Sequence, residues 1–496
     1  MFRRILIANR GEIAVRIARA CQELGIESVA VHSDVDAGAP HVAIADRAVA
    51  IGPAPARDSY LNIGRIIDAA RATDAEAVHP GYGFLAENAA FAAACADAGL
   101  VFVGPPPDAI ERMGDKIEAR RLMEAAGVPT VPGEAPPDQS DGALRDVARR
   151  IGFPLLVKAA AGGGGKGMRR VDTEAELAEA LASARREATA AFGNGTLYVE
   201  RCLVRPRHVE IQILADHHDT CVHLFERDCS VQRRHQKVIE ESPAAGISAA
   251  VRDRMGTAAI AAARAVGYRN AGTIEFLVEG AGDDIHFHFL EMNTRLQVEH
   301  AVTEAVTGVD LVAAQLRVAA GEPLSWHQAS LNQRGCAIEC RVYAEDSRDM
   351  LPQAGRILRY VEPTGPGVRV DSGIAQGSEI TVHYDPLLAK VITWGETREA
   401  ARARAHIALR EFAILGIDTN VAFLVHVLDH PRFRDADIDT GFLEDERATL
   451  VPPIDPRVLD LASVAAAADG RGAGGPEHIA ATDASSPWAT LTDWRV

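Results

Sequence analysis

Apolar residues fall in short runs along the first hundred positions, with amphipathic stretches between them. Ile5-Leu6-Ile7-Ala8 reads as a strand, and Glu12–Leu24 follows with helical periodicity before Gly25, a natural C-terminal cap. Ser28–Val31 and Ala77–His79 are further strand runs, a helix is expected around Glu87–Ala98, and Leu100–Val103 closes the series. This βαβ order predicts a parallel sheet. A second, strand-rich unit begins at Leu155–Lys158 and runs through a glycine loop into Met168–Val171. From about Leu203 to Glu446 antiparallel strand signals mix with helices such as Asp253–Val266 and Glu399–Phe412. After Val451 the chain turns Pro-rich and then Ala/Gly-rich through Ser463–Gly475, the composition of a linker. Pro487–Trp494 then carries two of the four tryptophans, which reads as the opening of a further module.

The polar positions that interrupt the apolar pattern carry the candidate chemistry. Glu291-Met292-Asn293-Thr294-Arg295-Leu296-Gln297-Val298-Glu299-His300 sets polar groups on alternate residues. If the segment is extended, Glu291, Asn293, Arg295, Gln297 and Glu299 share one face. Apolar Thr273–Val278 precedes it, with Gly280–Asp284 as a turn, so Glu275 and Glu291 are expected to face each other across a hairpin. Two anions held close in an apolar sheet repel unless a cation lies between them. Two carboxylates and an amide oxygen suit a hard ion such as Mg²⁺ on phosphate oxygens; an ordinary hairpin with exposed glutamates is the plainer alternative.

Two other segments point toward phosphate. Lys158-Ala159-Ala160-Ala161-Gly162-Gly163-Gly164-Gly165-Lys166-Gly167-Met168 fits G-x-G-x-x-G only trivially and is not a Walker A loop, because Gly167 stands at the Ser/Thr position. Between two strands it reads as a flap whose N–H groups can close over phosphates, or as a mobile surface hairpin. Glu226–Lys237 packs four cationic side chains into eleven residues with interleaved Gln, His and Ser, and anion binding is the better reading in a chain of net charge −17. His286 and His288, a lone H-x-H, read as strand surface. That net charge argues against general nucleic-acid binding, and no uncharged apolar run approaches the ~18 residues of a membrane helix. Seven cysteines without a C-x-x-C pair suggest neither a disulfide framework nor a zinc ribbon, and Cys336 and Cys340 read as core thiols. With no signal-peptide pattern at the start, a soluble cytoplasmic protein is expected.

Taken together, the chain resembles biotin carboxylase, the ATP-grasp component of biotin-dependent acyl-CoA carboxylases. The resemblance rests on Ile7–Ala14, His79–Asn88, Met113–Lys116, the glycine flap, Arg227–Lys237, Glu291–His300 and Glu339–Arg341, in that order over residues 2 to about 446. It implies mixed α/β and α+β architecture: an N-terminal parallel-sheet pre-ATP-grasp domain (1–115), an ATP-grasp domain (116–320) with a lid of about 130–203, a C-terminal domain (321–446), and a linker and tail (447–496).

The resemblance also implies a ligand set. Lys116, Lys158, Gly163, Gly164, Gly165, Met168, Glu200, Arg201, Leu203, His208, Gln232, His235 and Leu277 would surround ATP, and Glu275, Glu291 and Asn293 would hold Mg²⁺, or Mn²⁺ in its place. Glu299 would be the base for bicarbonate, with Lys237, Arg295, Gln297 and Val298 holding the anion. Arg341 would stabilise charge on the biotin ureido oxygen, and Tyr82 would shape the biotin pocket. Carboxyphosphate would form first and the carboxyl group then pass to biotin. Arg16, Arg19, Glu23 and Arg369 match dimer-contact positions, while Pro366 stands where some relatives have an aromatic, so a homodimer or larger assembly is expected. No Met-Lys pair occurs in the sequence, so biotin is expected on a separate carrier protein or domain, with a carboxyltransferase as second partner and neither nucleic acid nor membrane. Another ATP-grasp carboxylate–amine ligase, or a non-catalytic nucleotide-binding subunit, is the alternative.

Overall fold

The computed structural model describes residues 1–160, 168–280, 282 and 284–451. Five parallel strands open the chain, in the spatial order Arg47–Gly52, Glu27–Ser33, Arg4–Ile7, Ala77–His79, Val101–Phe102. Helices lie on both faces, so Ile5, Leu6 and Ile7 on the central strand are wholly buried without alternation. The strands and helices expected in this unit are present with ends shifted by at most two residues: the first helix spans Gly11–Glu23 and a later one Ala89–Asp97. Gly11 takes φ +67° at the sharp entry into the first helix, and Gly25 takes φ +68° just past its end. Strand Arg47–Gly52 and helix Ile63–Ala72, which buries Ile66, Ile67, Ala69 and Ala70, complete the layer.

Residues 133–201 form a four-stranded sheet in the order Gly133–Glu134, Leu197–Arg201, Leu155–Ala159, Arg169–Val171. Helices Asp141–Ile151 and Leu177–Phe192 flank it, and Leu144, Val147, Leu155, Val157, Leu181 and Leu197 make an apolar cluster of its own.

An eight-stranded sheet forms the body: His286–Asn293, Asn270–Glu279, Arg207–Ala215, Cys221–Arg233, Gln236–Ser242, Cys336–Tyr343, Leu387–Gly395, Val368–Ser372, with neighbours antiparallel. Helix Ala249–Ala265 packs Val251, Met255, Ala259 and Ala262 against Val209, Ile211 and Ile213. Helix Arg398–Glu411 covers Val391 and Ile338 farther along. All seven cysteines are free, with Cys340 buried. Among the described residues no helix is long and apolar enough to cross a membrane.

The extended run expected from Glu291 to Glu299 ends early. The strand stops at Asn293, residues 294–299 form a loop, and Glu299 lies at the N-cap of helix His300–Thr307. The shared face of Arg295 and Glu299 is therefore not a strand face; both are aimed by the loop. Gly280–Asp284 does connect the two strands, although Ala281 and Asp283 lie outside the described residues. The tail after Val451, and the linker and module expected in it, lie outside them as well.

Candidate active site

The site begins with three carboxylates in a row. Glu210 stands directly opposite Glu275 on the neighbouring strand, and Glu275 stands opposite Glu291 on the next. Opposed residues on adjacent strands share a face, and like charges there repel. The chain's own Lys237 answers that repulsion. Its ammonium donates to Glu210 Oε2 at 2.6 Å, Glu275 Oε1 at 2.8 Å and Glu299 Oε1 at 2.6 Å, which uses all three protons. Burial works to lower the Lys237 pKa, but the three carboxylates prevail and raise it well above the usual lysine range.

Glu299 is wholly buried and shared between two cations. Its second oxygen accepts from Arg341 Nη2 at 2.9 Å. Burial would raise this carboxyl, yet Lys237 and Arg341 together hold it well below the carboxylate range. Arg341 also donates through Nε to Glu240 Oε1 at 2.5 Å. Glu240 is wholly buried too, and burial pushes its carboxyl up to about 7 against the pull of Arg341.

The loop joins this network from above. Arg295 donates to Gln297 Oε1 at 2.9 Å, Asn293 Oδ1 at 3.1 Å and Glu87 Oε2 at 2.9 Å. Asn293 and Gln297 in turn donate to Glu275 Oε1 at 2.8 and 3.2 Å. His208 Nε2 lies 3.0 Å from Glu275 Oε2; burial lowers its pKa most, but the charge and hydrogen bond of Glu275 together with the Glu210 charge raise it overall. Glu275 itself is held down by Lys237 and then His208, against burial.

Glu291 is exposed and, among the described residues, has no such hydrogen-bond partner. The protein around it and the Glu275 charge push its carboxyl up, with Lys116 opposing. Lys116 opens helix Lys116–Ala125 behind the N-cap Asp115, and burial lowers its pKa, with Glu291 opposing and Lys158 adding to the shift. Lys158 is ion-paired with Glu200 across two strands of the smaller sheet. Two lysines facing an incompletely compensated carboxylate pair suit a polyanion with a hard divalent cation: ammonium groups for phosphate, carboxylate oxygens for the metal. Glu275 and Glu291 fit such an ion because their mutual repulsion is what a divalent charge relieves. Asn293 fits through its amide oxygen, now engaged by Arg295.

The remaining expected positions spread around this centre. Arg201 pairs with Glu279 at 2.6 Å, and Leu277 stands opposite His208. Leu203 is buried and Met168 half-buried. Gln232 donates weakly to the Cys229 carbonyl at 3.4 Å, and His235 is exposed at a turn with φ +66°. The Tyr82 hydroxyl donates to Glu12, and the Val298 carbonyl accepts from Lys390 at 2.6 Å. Gly163, Gly164 and Gly165 lie outside the described residues.

The basic run departs from its anion-binding reading. Arg227 is wholly buried and donates to Glu210, Gln212, Thr303 and Thr273, so it is consumed inside the fold. Arg233 is paired with Glu345 at 2.8 Å. Of the four cations Arg227 and Lys237 reach the carboxylate row, Arg227 at Glu210 alone and Lys237 at both Glu210 and Glu275. Three residues in the network had not been singled out as ligands. Glu210 and Glu240 are acidic residues inside apolar strands, a signal that was available. Glu87 is 208 residues from Arg295 along the chain, a pairing no local pattern reveals.

Lysines near a carboxylate pair beside a Lys–Glu–Arg cluster, on an antiparallel sheet accompanied by a separate four-stranded sheet, fit an ATP-dependent ligase. The model of the biotin carboxylase N-terminal domain matches residues 1–110, that of the carbamoyl-phosphate synthase L chain ATP-binding domain 115–327, and that of the biotin carboxylase C-terminal domain 339–445. Biotin carboxylase of Allochromatium vinosum is 51% identical over 445 residues, covering 90% of this chain and 98% of its own. The mitochondrial methylcrotonoyl-CoA carboxylase subunit alpha of Dictyostelium discoideum is 47% identical over 495 residues, 99% of this chain and 70% of that subunit. The biotin carboxylase domain dimer of Hydrogenobacter thermophilus 2-oxoglutarate carboxylase, solved with MgADP, ADP and bicarbonate, superposes with TM-score 0.86 at 43% identity, covering 91% of this chain and 99% of that one. The chain belongs to the biotin carboxylase family, ligases that carboxylate biotin from bicarbonate at the expense of ATP.

Proposed function

We propose that the chain carries out the first half-reaction of an acyl-CoA carboxylase, with the residue roles that follow. ATP lies between the sheet of residues 133–201 and the body, with Lys116 and Lys158 against its phosphates. Glu275, Glu291 and Asn293 would hold Mg²⁺, which would supply charge neutralisation for the phosphates. Lys237, Arg295, Gln297 and Val298 hold bicarbonate, and Glu299 takes its proton. The observation that carries this reading is Glu299, wholly buried and bonded by Lys237 and Arg341 at once.

That geometry has a chemical consequence. A carboxylate held so far down is a poor base while both cations stay on it. A bound anion offers Lys237 a competing acceptor, and each hydrogen bond that Lys237 moves onto bicarbonate lets the Glu299 pKa rise. The base is thereby armed by its own substrate. Arg341 stabilises negative charge on the biotin ureido oxygen, a role supported by its burial between Glu299 and Glu240.

Domain limits of 1–115, 116–320 with a lid of about 130–203, and 321–446 fit this reading, supported by the separate apolar cluster of the small sheet. A biotin carrier and a carboxyltransferase are the partners, and a dimer or larger assembly is the working form, by analogy with the acyl-CoA carboxylase subunit and the dimeric domain above. The test is ATP hydrolysis by the purified protein. It should depend on Mg²⁺ and bicarbonate and rise with free biotin; hydrolysis indifferent to bicarbonate and biotin overturns the proposal.

A further inference from the structure

Close to the loop of residues 294–299 the sheet buries a further cation. Lys390, on strand Leu387–Gly395, is 0% exposed. It stands opposite Arg341 on one neighbouring strand and opposite Asp371 on the other. Its ammonium donates to the Val298 carbonyl at 2.6 Å and lies 3.7 Å from Glu12, 3.7 Å from Asp371 and 3.9 Å from Glu339. Burial works to lower the Lys390 pKa, but these carboxylates raise it.

Two of those contacts lead to opposite sides of the proposed site. A trans peptide fixes its C=O and N–H in one plane, so pinning the Val298 oxygen sets the plane from which Glu299 departs. Glu12, in the first turn of helix Gly11–Glu23, accepts the Tyr82 hydroxyl. The helix start is held hard against the sheet: a side chain at Gly373 would bring its Cβ to 2.6 Å from Glu12 N. The N-terminal unit and the loop thus meet at one ammonium.

Stability alone does not explain this arrangement. Glu339 has no hydrogen-bond partner for either oxygen among the described residues, and Glu12 leaves one oxygen without a partner. Apolar packing of the same volume is often as stable as a buried ion cluster or more so. What apolar side chains cannot do is bind a carbonyl and a carboxylate at fixed positions.

We infer that Lys390 is a positioning residue for carboxylation: it pins the Val298 peptide in the bicarbonate loop and anchors Glu12, the acceptor of Tyr82, on the biotin side. The inference rests on the proposed roles of the loop and of Tyr82. Lys390 touches none of the residues assigned to ATP phosphates, so its loss should act on bicarbonate and biotin and leave nucleotide binding intact.

The experiment is Lys390→Met in the full chain, with KM for bicarbonate and for free biotin measured in the ATPase assay and the Kd for MgATP measured separately. Loss of a charge-assisted hydrogen bond predicts a rise of about 10–100-fold in the bicarbonate KM. A rise in the biotin KM should accompany it, with the MgATP Kd within about twofold of the parent. Should the single variant fail to fold, Lys390→Met/Glu339→Gln removes one anion with the cation and is judged by the same criteria. A folded variant with bicarbonate KM unchanged, or with the MgATP Kd raised in parallel, overturns the inference. The parent protein separates the two claims: if it lacks bicarbonate-dependent hydrolysis, the proposed function itself has failed.

Discussion

The two large sheets of this protein solve burial in opposite ways. The N-terminal parallel sheet encloses Ile5, Leu6, Ile7, Val29, Val31 and Val78 at full burial, with apolar helices on both faces. The antiparallel sheet encloses Glu210, Arg227, Glu240, Glu339 and Lys390 at the same depth. Apolar area removed from water stabilises without direction, whereas a buried charge is costly until every partner is in place. The parallel sheet therefore supplies stability on both faces, whereas the antiparallel sheet is apolar where Val209, Ile211 and Ile213 meet helix Ala249–Ala265 and supplies aim through its buried charges. The difference marks where the chemistry is before any ligand is considered, and substitutions in the two sheets should fail differently.

The largest effect is expected at the centre of the charged sheet. Glu299→Gln keeps size and removes the proposed base, so bicarbonate-dependent turnover should fall by about 10²–10⁴-fold while MgATP binding persists. Near-normal turnover would show that another group takes the proton. Next comes a paired test of the comparison itself. Arg227→Met strands Glu210 and the polar groups around it and should cost about 3–5 kcal/mol of stability. Ile7→Ala should cost a similar 2–5 kcal/mol, roughly, by opening a cavity. Only the first should also disturb KM for bicarbonate, because Glu210 shares Lys237 with Glu299. Equal kinetic damage from both would erase the distinction between the sheets.

A smaller effect lies in pH. His41, packed against the first sheet, is driven down to about 4 by burial, whereas burial drives Glu240 in the second up to about 7. The depressed histidine contributes stability that is present above its unfolded pKa of about 6.5 and is lost as pH falls through about 4. The raised carboxyl contributes stability that is present below about 4.5 and is lost as pH rises through about 7. Relative to the parent, Glu240→Gln should therefore gain stability as pH rises from 5 to 7, and His41→Gln should gain as pH falls from 6.5 to 4.5. Each slope should be at most about 1.4 kcal/mol per pH unit. Denaturant midpoints across that range check both signs, and parallel trends would contradict the assignment.

How much of this was legible in the chain follows the same division. The parallel sheet was readable because Ile5–Ala8 and Ala77–His79 are local apolar runs, and the facing of Glu275 and Glu291 followed from two strands and a turn. The loop after Asn293 was not readable, because alternating polar residues suit a strand and an irregular segment that lines a cleft equally well. The basic run at Glu226–Lys237 misled because sequence shows charges but not their partners: Arg227 is spent on Glu210, seventeen positions earlier. Lys390 and Glu87 were invisible for the related reason that their partners are distant, 92 and 208 residues away.

The central claim is that the buried Lys237–Glu299–Arg341 cluster drives carboxyl transfer from bicarbonate to biotin. The most direct test is to incubate the protein with ¹⁴C-bicarbonate, MgATP and free biotin and to measure acid-labile label on biotin. Incorporation that requires ATP and drops by about 10²–10⁴-fold in Glu299→Gln is the predicted result. Label absent from biotin in the parent protein while ATP is still hydrolysed, or undiminished in Glu299→Gln, would contradict the claim.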